Sequence, residues 1–438
     1  MLAYHFQEAG NPSRSIGYLL AAAEAALLRS ASAEASSLLA QARQLTTTLP
    51  DGREKLQLEL KLEITLARTL MATSGYTAPE TLAAYRRARQ HCEALGDQTF
   101  LPQTMHGQWI CTWVAADHSA ALEEAQRLFS WGQQHNEPVG LAVAHSDIGV
   151  TLATLGQLAE ARHHLEQALQ INKFMLPGRE PFVASHVDGR ISALCFLQHC
   201  LLLLGFPEQA EVTAKQAAPL GPDNLYSWAL VQSRLIRMRV LARDPGGTYT
   251  GALELLRLAE QQGYPYFIGT AKVYLGWALA QRGETADGLD SCREGVAQLQ
   301  RIAVKCWTPF YTALLGECYE LAGDHARAIT AAAEALQAVE ATGERVWHAE
   351  IMRLKGRLMQ ARAGTAAARG CFVEALRIAR QQGAKLLELR AACSLAKLLR
   401  RTNERTQARE VLEPVYGSFT EGFDFIDLRE AKAILARL

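Results

Sequence analysis

Apolar residues return at spacings of three and four through most of the chain, as in Leu152, Leu155, Leu158, Ala161, Leu165, Ala168 and Leu169. That spacing places them on one face of an α-helix. No stretch alternates apolar and polar residues between hairpin turns, so strands are not expected. Ala, Leu, Glu, Gln and Arg, all good helix formers, fill the intervening positions. Prolines stand where helices would begin or end, at Pro12, Pro50, Pro79, Pro138, Pro207 and Pro245. Thr77, followed by Pro79 and Glu80, predicts a capping box that opens a helix. The pattern predicts an all-α chain.

A longer period lies over the helical one. Gly276, Gly316, Gly356 and Ala396 recur every 40 residues, and Gly288, Ala328, Ala368 and Ala408 keep the same interval. So do Cys292, Ala332, Phe372 and Leu412, and Gly295, Ala335, Ala375 and Val415. Gly283, Gly323 and Asn403 fall in phase as turn residues, with Gly364 one place late. The first column sits inside a helix A and the second early in a helix B. Small side chains at both points let the two helices approach closely as an antiparallel hairpin. The residue between them ends helix A in the left-handed conformation. One such hairpin cannot cover its own apolar faces, so the units must stack.

The frame extends upstream through Gly149, Gly156, Ala161, Leu165 and Ala168, and through Gln198, Gly205, Ala210, Ala214 and Ala217. It fits more loosely at Trp109, Ala121, Ala125 and Leu128. At roughly 40 residues each, about ten hairpins fill residues 1–438 as one solenoid. Residues 173–189, with Pro177, Gly178 and Pro181, stretch one interval to 49 and are expected to form a long loop. That loop would divide an N-terminal arm, 1–172, from a C-terminal arm, 190–438. Asp188, after His186, is expected to cap the next helix.

Composition narrows the function classes. Forty-five basic residues balance 45 acidic ones, which argues against a general polyanion binder. The nine cysteines are scattered without a C-x-x-C pair, so neither a zinc ribbon nor a redox dithiol is expected, and a reducing compartment fits. MLAYHFQEAG shows no basic region followed by an apolar one, and Ile191 to Leu204 is too short to span a bilayer, so a cytoplasmic protein is expected. His163 and His164 with Glu166 lie on diverging helix positions and are read as a solvated face, with no metal. No cofactor motif is found, and none is expected.

The columns resemble the tetratricopeptide repeat (TPR), with the small-residue positions of its two helices kept. The period exceeds the usual value of about 34 and resembles the longer TPR-like units of the maltose-regulator type. LAYHFQEAGNPSRSIGYLLAAAEAAL, TLMATSGYTAPETLAAYRRARQHCEALGD, GERVWHAEIMRLKGRLM and the ending YGSFTEGFDFIDLREAKAILARL add a second resemblance. They are similar to the C-terminal helical region of large bacterial signalling proteins. Those proteins join a class III adenylate/guanylate cyclase or another output domain to an AAA-type ATPase. The resemblance covers essentially the whole chain and implies a right-handed superhelix working beside upstream ATPase or cyclase domains. This sequence has no G-x-x-x-x-G-K-[ST] loop and no paired cyclase aspartates, so the catalytic roles of the relatives do not transfer and no enzyme activity is expected.

In a TPR frame, helix A residues three before and one after the internal small residue face the concave groove. Those positions are Val273 and Trp277, Ala313 and Glu317, Arg353 and Arg357, and Cys393 and Lys397; Glu350 and Arg390 join them at an offset of six. Arg353, Arg357, Arg390 and Lys397, with Arg400 and Arg401 nearby, suit carboxylates or phosphates through paired hydrogen bonds. Trp277 would be an apolar anchor. The plainer alternative is a solvated face on which these cations pair with Glu317, Glu350 and Glu388. Trp109, Trp113, Trp228, Trp277, Trp307 and Trp347 recur on A-type helices and are expected mostly in the core, any that line the groove being anchors for a partner.

Two readings of function follow. In the first, the chain is a non-catalytic scaffold or sensor binding a protein or peptide partner, acidic in character; reversing Arg353 and Arg357 to Glu is then expected to weaken that partner without unfolding the chain. In the second it is the regulatory fragment of a cyclase or ATPase whose catalytic domains lie outside it. Nucleic-acid binding is disfavoured by the zero net charge and the lack of a helix-turn-helix signal. An apolar face at Leu2, Tyr4 and Phe6 is expected to be exposed and to drive self-association.

Overall fold

The computed structural model describes residues 2–29, 31–173, 189–220, 224–362 and 364–438. The described residues form 22 α-helices and no strand. After α1 (Leu2–Glu8) come the hairpins α2 (Pro12–Leu28) with α3 (Ser32–Thr46), α4 (Arg53–Thr73) with α5 (Pro79–Leu95), α6 (Leu101–Val114) with α7 (His118–His135), α8 (Pro138–Thr154) with α9 (Leu158–Lys173), and α10 (Gly189–Leu203) with α11 (Pro207–Ala217). Five more follow: α12 (Leu225–Leu241) with α13 (Pro245–Gln262), α14 (Pro265–Gln281) with α15 (Thr285–Arg301), α16 (Thr308–Leu321) with α17 (His325–Thr342), α18 (His348–Arg362) with α19 (Thr365–Gln381), and α20 (Lys385–Arg401) with α21 (Arg405–Gly417). A lone α22 (Ile426–Leu435) closes the array. Helices adjacent in sequence pack together, except at the step from α11 to α12, and the first helix of most hairpins also meets the first helix of the following one, as α14 does α16 and α18 does α20. This is a superhelix of stacked helix pairs.

The in-phase small residues set the hairpin geometry. A methyl group added at Gly276 would lie 2.5 Å from the Cys292 nitrogen and 2.5 Å from the Gly288 oxygen, so the two backbones are in contact there. Helix A of that hairpin ends at Gly283, whose φ of +96° favours glycine; Asn403 takes the same role at +65°. Pro12, Pro79, Pro138, Pro207 and Pro245 all open helices, where a missing N–H costs nothing. Side-chain caps come from Asn11, Asp117, Asp244 and Asp324.

The capping box at Thr77 does not form. Ala78 stands at the N-cap, and the Thr77 hydroxyl instead donates to the Ile302 carbonyl at 2.9 Å. That bond belongs to a set joining distant parts of the chain. The Val114 carbonyl accepts from the Lys305 and Cys306 N–H groups at 3.4 and 3.1 Å, and 40 residues further along both segments the Thr154 carbonyl accepts from the Arg345 and Val346 N–H groups at 3.1 and 3.3 Å. The backbone at Gly205 then approaches Lys385 and Phe419. Successive turns of the superhelix therefore touch. The turn of the hairpin α6–α7 seats against the connection entering α16, and that of α8–α9 against the connection entering α18.

Tight winding fills the middle of the coil. Trp113, Phe196, Trp307 and Trp347 are fully buried in one cluster that runs from α4 to α20. Trp113 is held by a hydrogen bond to Thr154 at 3.2 Å and Trp109 by one to Thr151 at 3.0 Å. Trp109, Trp113, Trp307 and Trp347 are core, and Trp228 is half-buried. At the N-terminus Leu2 and Tyr4 are exposed, at 56% and 63%. Phe6 is not part of that face. It stacks on Tyr18 at 5.3 Å with the Arg14 guanidinium over its ring, because α1 folds back on α2. The expected loop at 173–189, with the cap at Asp188 and His186, falls outside the described residues apart from its two ends. The helices on either side of it, α9 and α10, pack together.

Candidate functional site

The C-terminal part of the superhelix surrounds a cavity of about 670 Å³. Its walls are the inner faces of α14, α16, α18 and α20, the end of α12, and α22 lying across them. Trp277, Glu317, Glu350, Arg353, Arg357, Arg390 and Lys397, all expected from the repeat frame, line this one space. Ala313 and Cys393 line it too, whereas Val273 is fully buried and does not. The reason is the 40-residue repeat. Positions equivalent in each helix A are stacked on the same inner wall.

The cations are already engaged. Arg353 grips Glu350 through two bonds of 2.6 and 3.0 Å. Arg390 makes a bidentate pair with Asp427 at 2.9 and 3.0 Å, donates to the Leu241 carbonyl, and stands 3.8 Å from Glu350. Arg357 bridges Glu317 at 3.3 Å and Glu320 at 2.8 Å, while the Trp277 indole N–H donates to Glu317 at 2.8 Å. Lys397 and Arg243 both hold Glu430, the latter at 2.6 Å. Burial alone would raise the Glu350 carboxyl, but Arg353, with Arg390 and Arg357 beyond it, holds it down at about 2. The Glu430 carboxyl is likewise held at about 2, Lys397 and Arg243 outweighing its burial.

These pairs correct the sequence reading in two respects. Glu388 is not a partner of the inner cations; it pairs with Arg380 at 2.7 Å. Charge reversal at Arg353 would place a carboxylate beside the buried Glu350, so it would disrupt the fold as well as any ligand contact. The free charge lies elsewhere. Eight cationic side chains and four carboxylates line the cavity, and Arg400, Arg401 and Arg437 make no ion pair among the described residues. Their donors are the ones available to an incoming anion.

Arg243, Asp427, Glu430 and Arg437 escape a reading based on helix A columns. Arg243 comes from the turn after α12, with a φ of +55°, and the other three from the C-terminal segment, which has no repeat partner. The spacing of Asp427 and Glu430, one helical turn apart in DLRE, is the signal that marks a single acidic face.

Elsewhere, the His163 and His164 rings diverge at 83°, and His164 meets His145 of α8 at 3.0 Å. No group of three metal-ligating side chains gathers among the described residues. No helix among the described residues is long and apolar enough to cross a membrane.

Comparison with known proteins agrees with this architecture. A tetratricopeptide-repeat family model matches residues 142–174, which span most of the hairpin α8–α9. An uncharacterized protein of Rhizobium meliloti (strain 1021) is 24% identical over 409 residues, covering 91% of this chain and 39% of the relative. The chain thus spans about two fifths of the length of that relative. Among solved structures, the Rap conjugation gene regulator of plasmid pLS20 in complex with the Phr* peptide has a TM-score of 0.49 at 12% identity, over 74% of this chain and 97% of that one. A Rap protein complexed with Competence and Sporulation Factor has a TM-score of 0.40 at 10% identity, over 97% and 99%. Yeast Tom70 gives 0.38 at 10%, over 99% and 94%. The chain is an all-α superhelix of TPR-like hairpins, an architecture that serves as a scaffold for protein–protein interaction.

Proposed function

We propose that this chain is a non-catalytic interaction module whose C-terminal cavity receives an acidic segment of a partner protein. One observation carries the reading: in a chain of zero net charge, the cavity collects eight cations against four carboxylates. Its volume is that of ordinary ligand pockets, roughly 300–1,000 Å³. The paired residues Arg353, Arg390 and Arg357 shape the wall, Trp277 offers an apolar edge beside Glu317, and Arg400, Arg401 and Arg437 supply donors to the ligand. Lys397, half-exposed while holding Glu430, can exchange that partner for one on the ligand.

The test is fluorescence anisotropy with a labelled Glu-rich peptide. Arg400→Glu with Arg401→Glu is expected to weaken binding by about tenfold or more, with affinity falling as salt rises. Arg401 is exposed and Arg400 half-buried at the end of α20, and neither makes an ion pair among the described residues, so helix content measured by circular dichroism is expected to stay constant. Unchanged affinity in the folded double variant rejects the cavity as the acidic site.

A second reading is favoured by the length of the Rhizobium meliloti relative, of which this chain matches only 39%. In it, the array is the regulatory part of a longer cytoplasmic signalling protein, with an adenylate/guanylate cyclase or AAA-type ATPase outside residues 1–438. A coding sequence upstream that carries a phosphate loop or cyclase aspartates supports it; a stop codon there removes it.

A further inference from the structure

Two arginines lie in the filled centre of the coil, away from the cavity lining. Arg234 and Arg237, one turn apart on α12, are 9% and 3% exposed. The Arg237 guanidinium sits 3.8 Å from the Trp307 ring centroid and 5.6 Å from that of Phe196, and the Arg234 guanidinium sits 4.5 Å from Phe196. Neither forms an ion pair among the described residues. The Nε of both, and Nη2 of Arg237, are buried without a hydrogen-bond partner. Glu344, the buried carboxylate of this region, accepts from the Trp307 N–H at 2.7 Å and approaches His118 at 3.5 Å.

Such a pair is costly. A buried ion normally has a counter-ion and satisfied donors, and here two like charges share one helix face. Contact with the Trp307 and Phe196 rings offsets part of the desolvation, but it supplies no negative charge and accepts no N–H in its plane. Planar guanidinium forks match the oxygens of a phosphate or sulfate. The His199 imidazole, fully buried beside Trp307 and Trp347 with both nitrogens unpartnered, offers a further N–H. Phe310 and Trp347, stacked at 4.4 Å, line the C-terminal cavity and form the wall between it and this cluster. Val240 and Leu241, one turn beyond Arg237 on α12, line the same cavity, so the helix that carries the arginines reaches it.

We propose that Arg234 and Arg237, with His199, form an internal site for a compact free oxyanion of the phosphate or sulfate type, seated behind the aromatic wall of the cavity. This site uses none of the groups assigned to the acidic segment, so it stands whether or not that assignment does. Its role is to lock the centre of the superhelix, where α10, α12 and the connection entering α16 meet.

The test uses the full chain exchanged into chloride buffer and titrated with sodium phosphate at constant ionic strength. Melting temperature and tryptophan fluorescence are read together. A saturable rise in Tm and a saturable fluorescence change are expected, because a ligand that binds only the folded state stabilises it. The double variant Arg234→Met with Arg237→Met is expected to melt no lower than the wild type in chloride and to ignore phosphate. Arg237→Lys, which keeps the charge and loses the fork, is expected to bind phosphate about tenfold more weakly. It serves as the variant of record where the double change does not fold. The proposal is overturned by a wild type that does not respond, by equal responses in wild type and Arg237→Lys, or by a folded double variant that still responds or melts much lower in chloride.

Discussion

Alanine substitutions at two equivalent glycines should have opposite signs. Gly276 and Gly316 occupy the same column, 40 residues apart, and both lie inside helices. In a helix interior, Gly→Ala gains about 1 kcal/mol from propensity and a smaller unfolded-state entropy. At Gly316 the new methyl would stand 3.4 Å from the Ala331 Cβ and 3.5 Å from Leu354, ordinary contact distances, so most of the gain is kept. At Gly276 it would meet backbone at 2.5 Å on two sides, and α14 must move from α15 by about 1 Å to restore normal separation. Over-packing of this kind costs about 1–3 kcal/mol, and backbone obstacles place it at the upper end. Gly276→Ala should therefore lose about 1–2 kcal/mol, and Gly316→Ala should gain about 0.5–1 kcal/mol. The chain already carries Ala396 at this column in α20, fully buried. Native-state hydrogen exchange is the assay, because a long stacked array opens locally and need not unfold in two states. Protection should fall in α14–α15 for the first variant and rise in α16–α17 for the second. A Gly276→Ala protein as protected as the wild type would refute the close-approach argument.

Three further outcomes follow. Asp427→Ala leaves the buried Arg390 without its bidentate partner and should cost about 3 kcal/mol, freeing α22 to proteolysis at a rate that a well-bound α22 would not show. Acid should act in two windows. Burial, then His164 and His163, pull His145 from 6.5 to about 4, so the stability its neutral form supplies is complete above pH 6.5 and lost toward pH 4. Glu350 and Glu430, held at about 2 against 4.5, supply stability that is complete above pH 4.5 and lost as pH falls toward 2. Hydrogen exchange in α8–α9 should therefore rise before that in α18–α22, and the reverse order would contradict the assignment. Finally, we propose that the exposed Leu2 and Tyr4 drive self-association; Leu2→Glu with Tyr4→Glu should abolish concentration-dependent mass in light scattering, and a wild type monomeric at high concentration refutes it.

Local and periodic features were legible in the sequence. The 40-residue columns located the hairpins because close packing at Gly276 and Gly288 demands small residues at fixed intervals. The turn at Gly283 was legible because its positive φ restricts residue type. The frame also put seven residues on the wall of one cavity. What it could not give was how far the coil closes on itself. The contacts of Val114 with Cys306 and of Thr154 with Arg345 run through backbone groups that every residue carries, so they leave no trace in composition. Thr77 was misread for the same reason: a hydroxyl suited to capping was recruited by a carbonyl 225 residues away. Arg234 and Arg237 did leave a signal: of the three cations in RLIRMRVL, these two are one helical turn apart on the same face as apolar residues of α12, whereas Arg239 points to the next helix and bonds the Gly247 carbonyl.

The closure of the coil also explains where the cavity lies. In mid-chain, the hairpins α6–α7 and α8–α9 each meet a segment one superhelical turn away, and the space beside them is packed with Trp113, Phe196, Trp307 and Trp347. Among the described residues, α22 is the element that lies over the inner wall of α14 to α20. The single helix α22 covers it only in part, and it is held there by charge: Asp427 and Glu430 reach Arg390, Arg243 and Lys397. An apolar helix would have sealed the wall. An ion-paired one is open to exchange where its partners are exposed: we propose that a ligand carboxylate entering beside Arg400 and Arg401 takes Lys397 from Glu430 and so loosens α22 at that point, while Arg390 keeps its buried bidentate hold on Asp427.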